Sequence, residues 1–274
     1  MNNPLFVVSP GLYIWSLVIF LLVLLILKKY AWKPLLDFLD QREKEISDSL
    51  AMAESAKADL EKVKEESEKI FKKKKLKIYY DKRELLGRIK DRPSIRVLFL
   101  HAREIIEQIA IGKLDIGISG FDLLKESEVN IQKNIKVEKK LNFGFANLVL
   151  AVRVEFIDVF TTLDLDEVAD EFRKKNKRLI RIGTKYPNLT RQYLYSRGVT
   201  NFSIVKSRGA TELMPAMSTA ELISDITSSG QTLAANKLRI LSDGEILKSQ
   251  ACLMQSKLST KKSGIKKILK LLSF

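Results

Sequence analysis

Residues 222–232 read Leu-Ile-Ser-Asp-Ile-Thr-Ser-Ser-Gly-Gln-Thr, an apolar run that breaks into hydroxyl side chains and a glycine before a helical stretch begins. That order suits phosphate. Gly230 permits a turn that bulkier residues resist. The backbone N–H groups of Thr227, Ser228, Ser229, Gly230, Gln231 and Thr232, with their hydroxyls, can then wrap an anion at a helix N-terminus. Asp225 stands just before the loop, placed to hydrogen-bond the hydroxyls of a sugar whose phosphate the loop holds. The Gly-x-x-x-x-Gly-Lys-Ser/Thr spacing of a P-loop is absent. A serine-rich turn capping a helix would read the same way, so the loop alone leaves both readings open.

The elements that must position this loop follow from periodicity. Ile95–Leu100, Leu114–Ile118, Asn147–Val152, Leu179–Gly183, Ser203–Lys206 and Leu222–Ile226 are short apolar runs and read as strands. Glu104–Ile111, Leu165–Lys174, Leu189–Ser196 and Leu233–Leu238 read as helices between them. The alternation predicts an α/β domain with a largely parallel sheet over about residues 76–258.

Composition narrows the chemistry. The single histidine, His101, and the single cysteine, Cys252, exclude an internal disulfide and a cysteine zinc site. They leave any Ser-His-Asp triad resting on His101, which reads as a structural residue where a helix begins. The lone cysteine fits a reducing compartment. The formal charge is +15, and it is uneven: the first 75 residues carry 13 Lys and Arg against 11 Asp and Glu, the rest 35 against 22. A basic surface suits phosphate-rich ligands, anionic membranes or nucleic acid; without a recognition motif, no nucleic acid is expected.

The N-terminal quarter has a different character. Residues 12–27 are apolar except for Ser16, a span of ~24 Å as a helix against a hydrocarbon core of ~30 Å. Lys28, Lys29 and Lys33 follow, and Met1–Pro10 carries no charged side chain. The expectation is a single-pass anchor over residues 1–33 in a bacterial inner membrane, with the C-terminal bulk cytoplasmic. Over residues 34–71, Leu39, Ile46, Ala53 and Leu60 recur at steps of seven, widened by Leu36, Leu50, Val63 and Ile70. That is a long charged helix with a narrow pairing seam. Lys72–Lys75 then form a junction, and residues 259–274 a basic tail.

Both halves carry family resemblances. Pro10-Gly-Leu-Tyr-Ile-Trp15, Trp32-Lys-Pro-Leu-Leu36, Gln41-Arg-Glu-Lys-Glu-Ile46 and Ala53-Glu-Ser-Ala56 resemble the start of the b subunit of the bacterial-type ATP synthase, over about residues 3–70. The resemblance implies a peripheral-stalk helix, with the synthase's stalk and membrane subunits as possible partners. Gly209–Asn236, Gly112-Lys-Leu-Asp-Ile-Gly-Ile-Ser-Gly-Phe-Asp122, Thr184-Lys-Tyr-Pro-Asn-Leu-Thr-Arg191 and Asp243-Gly-Glu-Ile-Leu-Lys-Ser-Gln-Ala-Cys-Leu253 resemble ATP phosphoribosyltransferase, in its short form.

That second resemblance implies a two-lobed fold like that of periplasmic binding proteins, and an oligomer working with a regulatory subunit similar to histidyl-tRNA synthetase. It implies a glycosyl transfer that joins ATP to phosphoribosyl pyrophosphate in histidine biosynthesis. Mg²⁺ would ride on the pyrophosphate, with no protein metal site. Asp225 and Glu212 would face the ribose as catalytic groups, and Thr227–Thr232 would hold its phosphate. Gly120, Asp122, Lys185 and Arg191 would contact ATP. Two departures stand out. Ser218 occupies a position where the family has glycine, and the family's opening strand with its Lys-Gly-Arg loop is absent, so the domain reads as N-terminally truncated. Two other readings remain: a stalk subunit with an inert passenger, and a module that binds a phosphoribosyl ligand without turnover.

Overall fold

The structure, a computed structural model, describes residues 10–27, 32, 36, 78–80, 86–89, 92–207, 209–259, 264–266 and 268–269. The chain divides into two compact units, Met1–Glu54 and Ser55–Phe274. The expected stalk helix, the Lys72–Lys75 junction and most of the basic tail lie outside the described residues.

In the first unit, helix α1 spans Pro10–Leu27. Every side chain from Tyr13 to Leu25 is exposed, so the helix is apolar on all sides, and no described residue packs against it. Such a surface needs an apolar environment. At 18 residues the helix measures ~27 Å. No helix among the described residues is long and apolar enough to cross a membrane.

The second unit opens with a small antiparallel sheet, β1 (Ile78–Tyr80), β2 (Leu86–Ile89) and β3 (Arg92–Leu98). Two lobes follow, each built on its own sheet. In the first, the order is β4 (Ile116–Gly120), β11 (Ala251–Ser256), β5 (Ile135–Lys140), with β11 antiparallel to both neighbours. Helix α2 (Ala102–Ala110) lies directly on β4, burying Ile105, Ile106 and Ile109 against Cys252 and Met254. Helices α3 (Phe121–Glu126) and α4 (Val129–Lys133) complete this lobe. Ile265, Ile268 and Leu269 from the C-terminal segment are buried or packed on its other face beside Leu141 and Leu253.

The second lobe holds five strands in the order β10 (Leu238–Ser249), β6 (Ala146–Arg153), β9 (Leu222–Thr227), β7 (Ile180–Thr184), β8 (Phe202–Lys206). Helix α5 (Thr162–Asn176) starts at a capping box, in which Thr161 and Asp164 satisfy each other's backbone N–H groups, and buries Leu165 and Ala169. Helix α6 (Pro187–Ser196) starts on a proline, whose fixed φ suits a first turn. The short helix α7 covers Gln231–Ala235.

The two-lobed α/β architecture is the expected one, but the sheet is mixed rather than largely parallel. Only β7 pairs parallel, with β8 and β9; β6 runs antiparallel to both β9 and β10. The chain crosses between the lobes twice, through residues 141–145 and at Gln250. The two crossings are bonded to each other: Leu141 N donates to Ala251 O at 2.9 Å and Asn142 N to the Gln250 side chain at 3.0 Å.

Candidate functional site

Strand β9 is fully buried over Leu222–Ser224 and emerges from the core over Asp225–Thr227. It therefore delivers Asp225 to the end of the sheet, opposite Val149 of β6. Burial pushes the Asp225 carboxyl above the usual carboxylate range. A hydrogen bond from Ile226 N at 2.8 Å and the charge of Lys185 oppose that push, and the charge of Glu212 reinforces it. Glu212 comes from a 3-10 turn over Thr211–Leu213. Two carboxylates and one ammonium thus converge at the end of β9.

Beyond Asp225 the loop closes as its residue types suggest. Gly230 sits at φ +74, the left-handed region. A Cβ there would meet nothing nearer than Ile240 Cδ1 at 3.8 Å, so it is the backbone angle, not space, that asks for glycine. Gly230 N donates to the Thr227 hydroxyl at 2.9 Å and Gln231 N to the Ser229 hydroxyl at 3.4 Å. Ser228, Ser229, Gln231 and Thr232 face solvent. Thr227–Thr232 therefore form an open, hydroxyl-rich turn next to the acid pair.

The turn before β9 shows why its residue types matter. Ser218 stands at φ +55, a left-handed conformation that a non-glycine residue adopts only at a cost. Its carbonyl accepts from Arg181 Nη2 at 2.8 Å. Arg181 in turn pairs with Glu221, which also accepts from Arg178 and from Arg181 N. This knot ties β7 to the start of β9, so the ends of both strands, carrying Lys185 and Asp225, hold a fixed register.

The other expected contacts are spread over the end of β4, α3, the end of β7 and α6. Asp122 is buried with both oxygens engaged: Oδ2 accepts from Tyr186 Oη at 2.9 Å and Oδ1 from Ser249 Oγ at 2.6 Å. Gly120 makes room for it, since a Cβ there would lie 2.4 Å from Asp122 Oδ1. Asp122 thus spends its acceptors across the lobes. Lys185 is exposed, and its charge acts on Asp225. Arg191 is exposed on α6, and its charge acts on Glu126 of α3 rather than on the acid pair.

Three participants were not anticipated. Tyr186 stands between the two carboxylates Asp122 and Asp225, and burial followed by those charges drives its hydroxyl far above its ordinary range, so it remains a donor. Glu126 accepts from Asn188 N and Leu189 N at 3.0 Å each. Arg103 of α2 adds positive charge near both Glu126 and Tyr186. Only the Tyr-Pro step, a residue before a helix start, gave any local signal. Among the described residues no group of three or more His, Cys, Asp or Glu could hold a metal ion.

A two-lobed α/β unit with an acid pair and a hydroxyl-rich turn at the end of one strand defines a class of phosphate-handling domains. Comparison with known proteins makes the class specific. The family described as HisG, ATP phosphoribosyltransferase, matches residues 101–273, and the chain belongs to this family. An ATP phosphoribosyltransferase from Nitrobacter winogradskyi is 47% identical over 175 residues, covering 64% of this chain and 54% of that protein. One from Brucella suis is 42% identical over 180 residues, covering 65% of this chain and 78% of that protein. The chain thus spans about half the length of the Nitrobacter relative (54%). The solved ATP phosphoribosyl transferase (HisG:HisZ) complex from Thermotoga maritima aligns with a TM-score of 0.57 at 25% identity, over 76% of this chain and 90% of that one. The family described as ATP synthase B/B' CF(0) matches residues 12–77.

Proposed function

We propose that the second unit transfers a phosphoribosyl group from phosphoribosyl pyrophosphate to N1 of the adenine of ATP, releasing pyrophosphate. The observation that carries this reading is the convergence of Asp225 and Glu212 beside the Thr227–Thr232 turn. The turn holds the ribose 5-phosphate with its amides and hydroxyls. As the bond from the anomeric carbon to pyrophosphate breaks, positive charge grows on the ribose. Fixed negative charge at Asp225 and Glu212 is then worth more in the transition state than in the ground state. Asp225 also accepts from the ribose hydroxyls. The charge of Lys185 favours the ionised form of Asp225 against its burial, from the phosphate side of the same cleft. Mg²⁺ enters as part of the substrate, bound to pyrophosphate. The remaining work is alignment of the adenine N1 with the anomeric carbon. In this reading Gly120 and Asp122 shape the nucleotide side of the cleft, and Arg191 meets its phosphates from α6.

The N-terminal match and the all-round apolar surface of α1 support a membrane-associated first unit. The orientation that fits Lys28, Lys29 and Lys33 is a single pass through a bacterial plasma membrane, with the second unit in the cytoplasm. The Thermotoga complex pairs its catalytic chain with a second polypeptide, HisZ. A regulatory subunit of that type, similar to histidyl-tRNA synthetase, and an oligomeric assembly belong to the same proposal.

The test is direct. The full chain in detergent, with and without such a subunit, is supplied with ATP, phosphoribosyl pyrophosphate and Mg²⁺, and phosphoribosyl-ATP is followed by absorbance. Product from the wild type, and roughly 10²–10³-fold slower formation from Asp225→Asn, is expected. Tight binding of phosphoribosyl pyrophosphate without product would instead identify a binding module.

A further inference from the structure

Asp122 and Glu126 are the most deeply buried carboxylates outside the acid pair among the described residues, 5% and 3% exposed. They stand four residues apart on α3, at the edge of the three-stranded lobe, and both reach into the other lobe. Asp122 receives the Tyr186 hydroxyl. Glu126 receives the backbone N–H groups of Asn188 and Leu189, and its own carbonyl accepts from Asn188 Nδ2 at 2.9 Å. A buried carboxylate without donors is costly, so these bonds are strongly preferred once the lobes meet. Together they grip residues 186–189, the entrance and first turn of α6. Lys185 immediately precedes that grip. Thr190 fixes the other side, its hydroxyl bonding Tyr186 O at 2.7 Å and Ser224 Oγ of β9 at 2.8 Å.

We propose that Asp122 and Glu126 are positioning residues: by clamping the start of α6 across the lobes they fix the segment that carries Lys185, beside the paired ends of β7 and β9, so that the phosphoribosyl site is complete only in the closed arrangement. The inference rests on the functional reading above for its meaning but not for its geometry. It predicts a specific coupling. The charged groups around the clamp are Arg103 of α2 and Arg191 of α6 beside Glu126; those around the site are Lys185 and Glu212 beside Asp225. Releasing the clamp opens the cleft beside Asp225 to water; burial is the largest cause of its raised pKa, so Asp225 then ionises at lower pH.

The experiment compares wild type with Glu126→Gln, which keeps the shape but places an amide against a backbone N–H, and with Tyr186→Phe, which removes one hydroxyl. Three readouts are taken on the full chain. Steady-state kinetics should show kcat/KM falling about ten- to hundredfold, one lost charge-assisted bond's worth, with the acid limb of its pH profile moved downward. Spin labels at Lys113 and Lys175, one exposed site on each lobe, should give a broadened distance distribution. Carbon-13 NMR of the Asp225 carboxyl should show its titration moved to lower pH. An unchanged distance distribution and an unchanged Asp225 titration, with only the melting temperature lowered, would overturn the proposal and leave the two acids structural. Should Glu126→Gln not fold, Tyr186→Phe decides by the same readouts. Should the wild type make no phosphoribosyl-ATP, the functional reading fails, while distance and titration still judge the clamp.

Discussion

Replacing Glu221 by glutamine tests the knot that fixes the register of β7 and β9. The Glu221 side chain is 12% exposed and its Oε1 lies 2.7 Å from Arg181 Nη2 and 3.0 Å from Arg178 Nη2. Its Oε2 accepts from Arg181 N at 2.7 Å. Burial opposes ionisation of this carboxyl, but the bonds from Arg181 and Arg178 outweigh it and pull the pKa from 4.5 down to about 2. Because the folded state holds the proton less tightly than the unfolded chain, the ion pair stabilises the fold fully above the unfolded pKa. That contribution fades as pH falls through the folded one.

A gap of roughly 2.5 units at ~1.36 kcal/mol each sets a ceiling of ~3.4 kcal/mol. The arginines are 45% and 30% exposed, so solvent screening brings the expected value nearer ~2 kcal/mol. Glu221→Gln should therefore lower the unfolding free energy by ~2 kcal/mol at pH 7, or ~4–8 °C in melting temperature for a unit of this size. By about pH 3 the difference from wild type should have shrunk by more than half. Urea titrations of both proteins at the two pH values measure it. An equal difference at both values would refute the argument, because a loss that does not titrate cannot come from the carboxylate.

Three further outcomes follow from the site. Ser218→Gly should stabilise the fold by ~1 kcal/mol, read as a small rise in melting temperature, because it relieves φ +55 while the Arg181 bond, made to a backbone carbonyl, survives. Asp225→Asn should cut turnover by ~10²–10³-fold and remove the acid limb of the pH profile. The same change should raise the melting temperature at neutral pH: the folded pKa of Asp225 is raised, so its stabilising contribution is present below the unfolded value and lost as pH rises through the folded one. Gly230→Val, at φ +74, should weaken phosphoribosyl pyrophosphate binding at least about tenfold in calorimetry while leaving the core intact, since no atom crowds the new Cβ.

Much of the second unit was legible because buried strands announce themselves as short apolar runs. Asn147–Val152 became β6 at Ala146–Arg153, and Leu222–Ile226 became β9 at Leu222–Thr227. Strand β10 was not legible. Its sequence, Leu-Arg-Ile-Leu-Ser-Asp-Gly-Glu-Ile-Leu-Lys-Ser, alternates only in pieces, because register shifts fall between Ile240 and Glu245 and again before Leu247. Apolar runs carry no strand direction: Asn147–Val152 and Leu222–Ile226 both read as strands, yet β6 and β9 pair antiparallel. The acid, loop and helix around Asp225 could be read because they are contiguous. The bonds of Asp122 could not, because Tyr186 is 64 residues away and Ser249 is 127. For the same reason nothing local in the sequence showed that the Asp122 oxygens bond across the lobes.

The two partners of Asp122 differ in what lobe movement does to them. Ser249 ends β10, one residue before the Gln250 crossing, and Gln250 O accepts from Phe121 N at the start of α3. That pair lies beside a chain crossing between the lobes, so in the proposed opening the Ser249 bond is the one retained. Tyr186 sits away from the crossing, on the second lobe, so its bond to Asp122 breaks as the lobes part. Opening therefore leaves a carboxylate with one side-chain donor instead of two, and takes from the tyrosine hydroxyl its Asp122 acceptor. Water can replace both only by entering the cleft beside Asp225. The closed arrangement is favoured by bonds that are lost together with the dryness of the site, and a substrate filling that cleft removes the space that water would need. Asp122 thus links the angle between the lobes to the solvation of Asp225 without touching the reacting atoms.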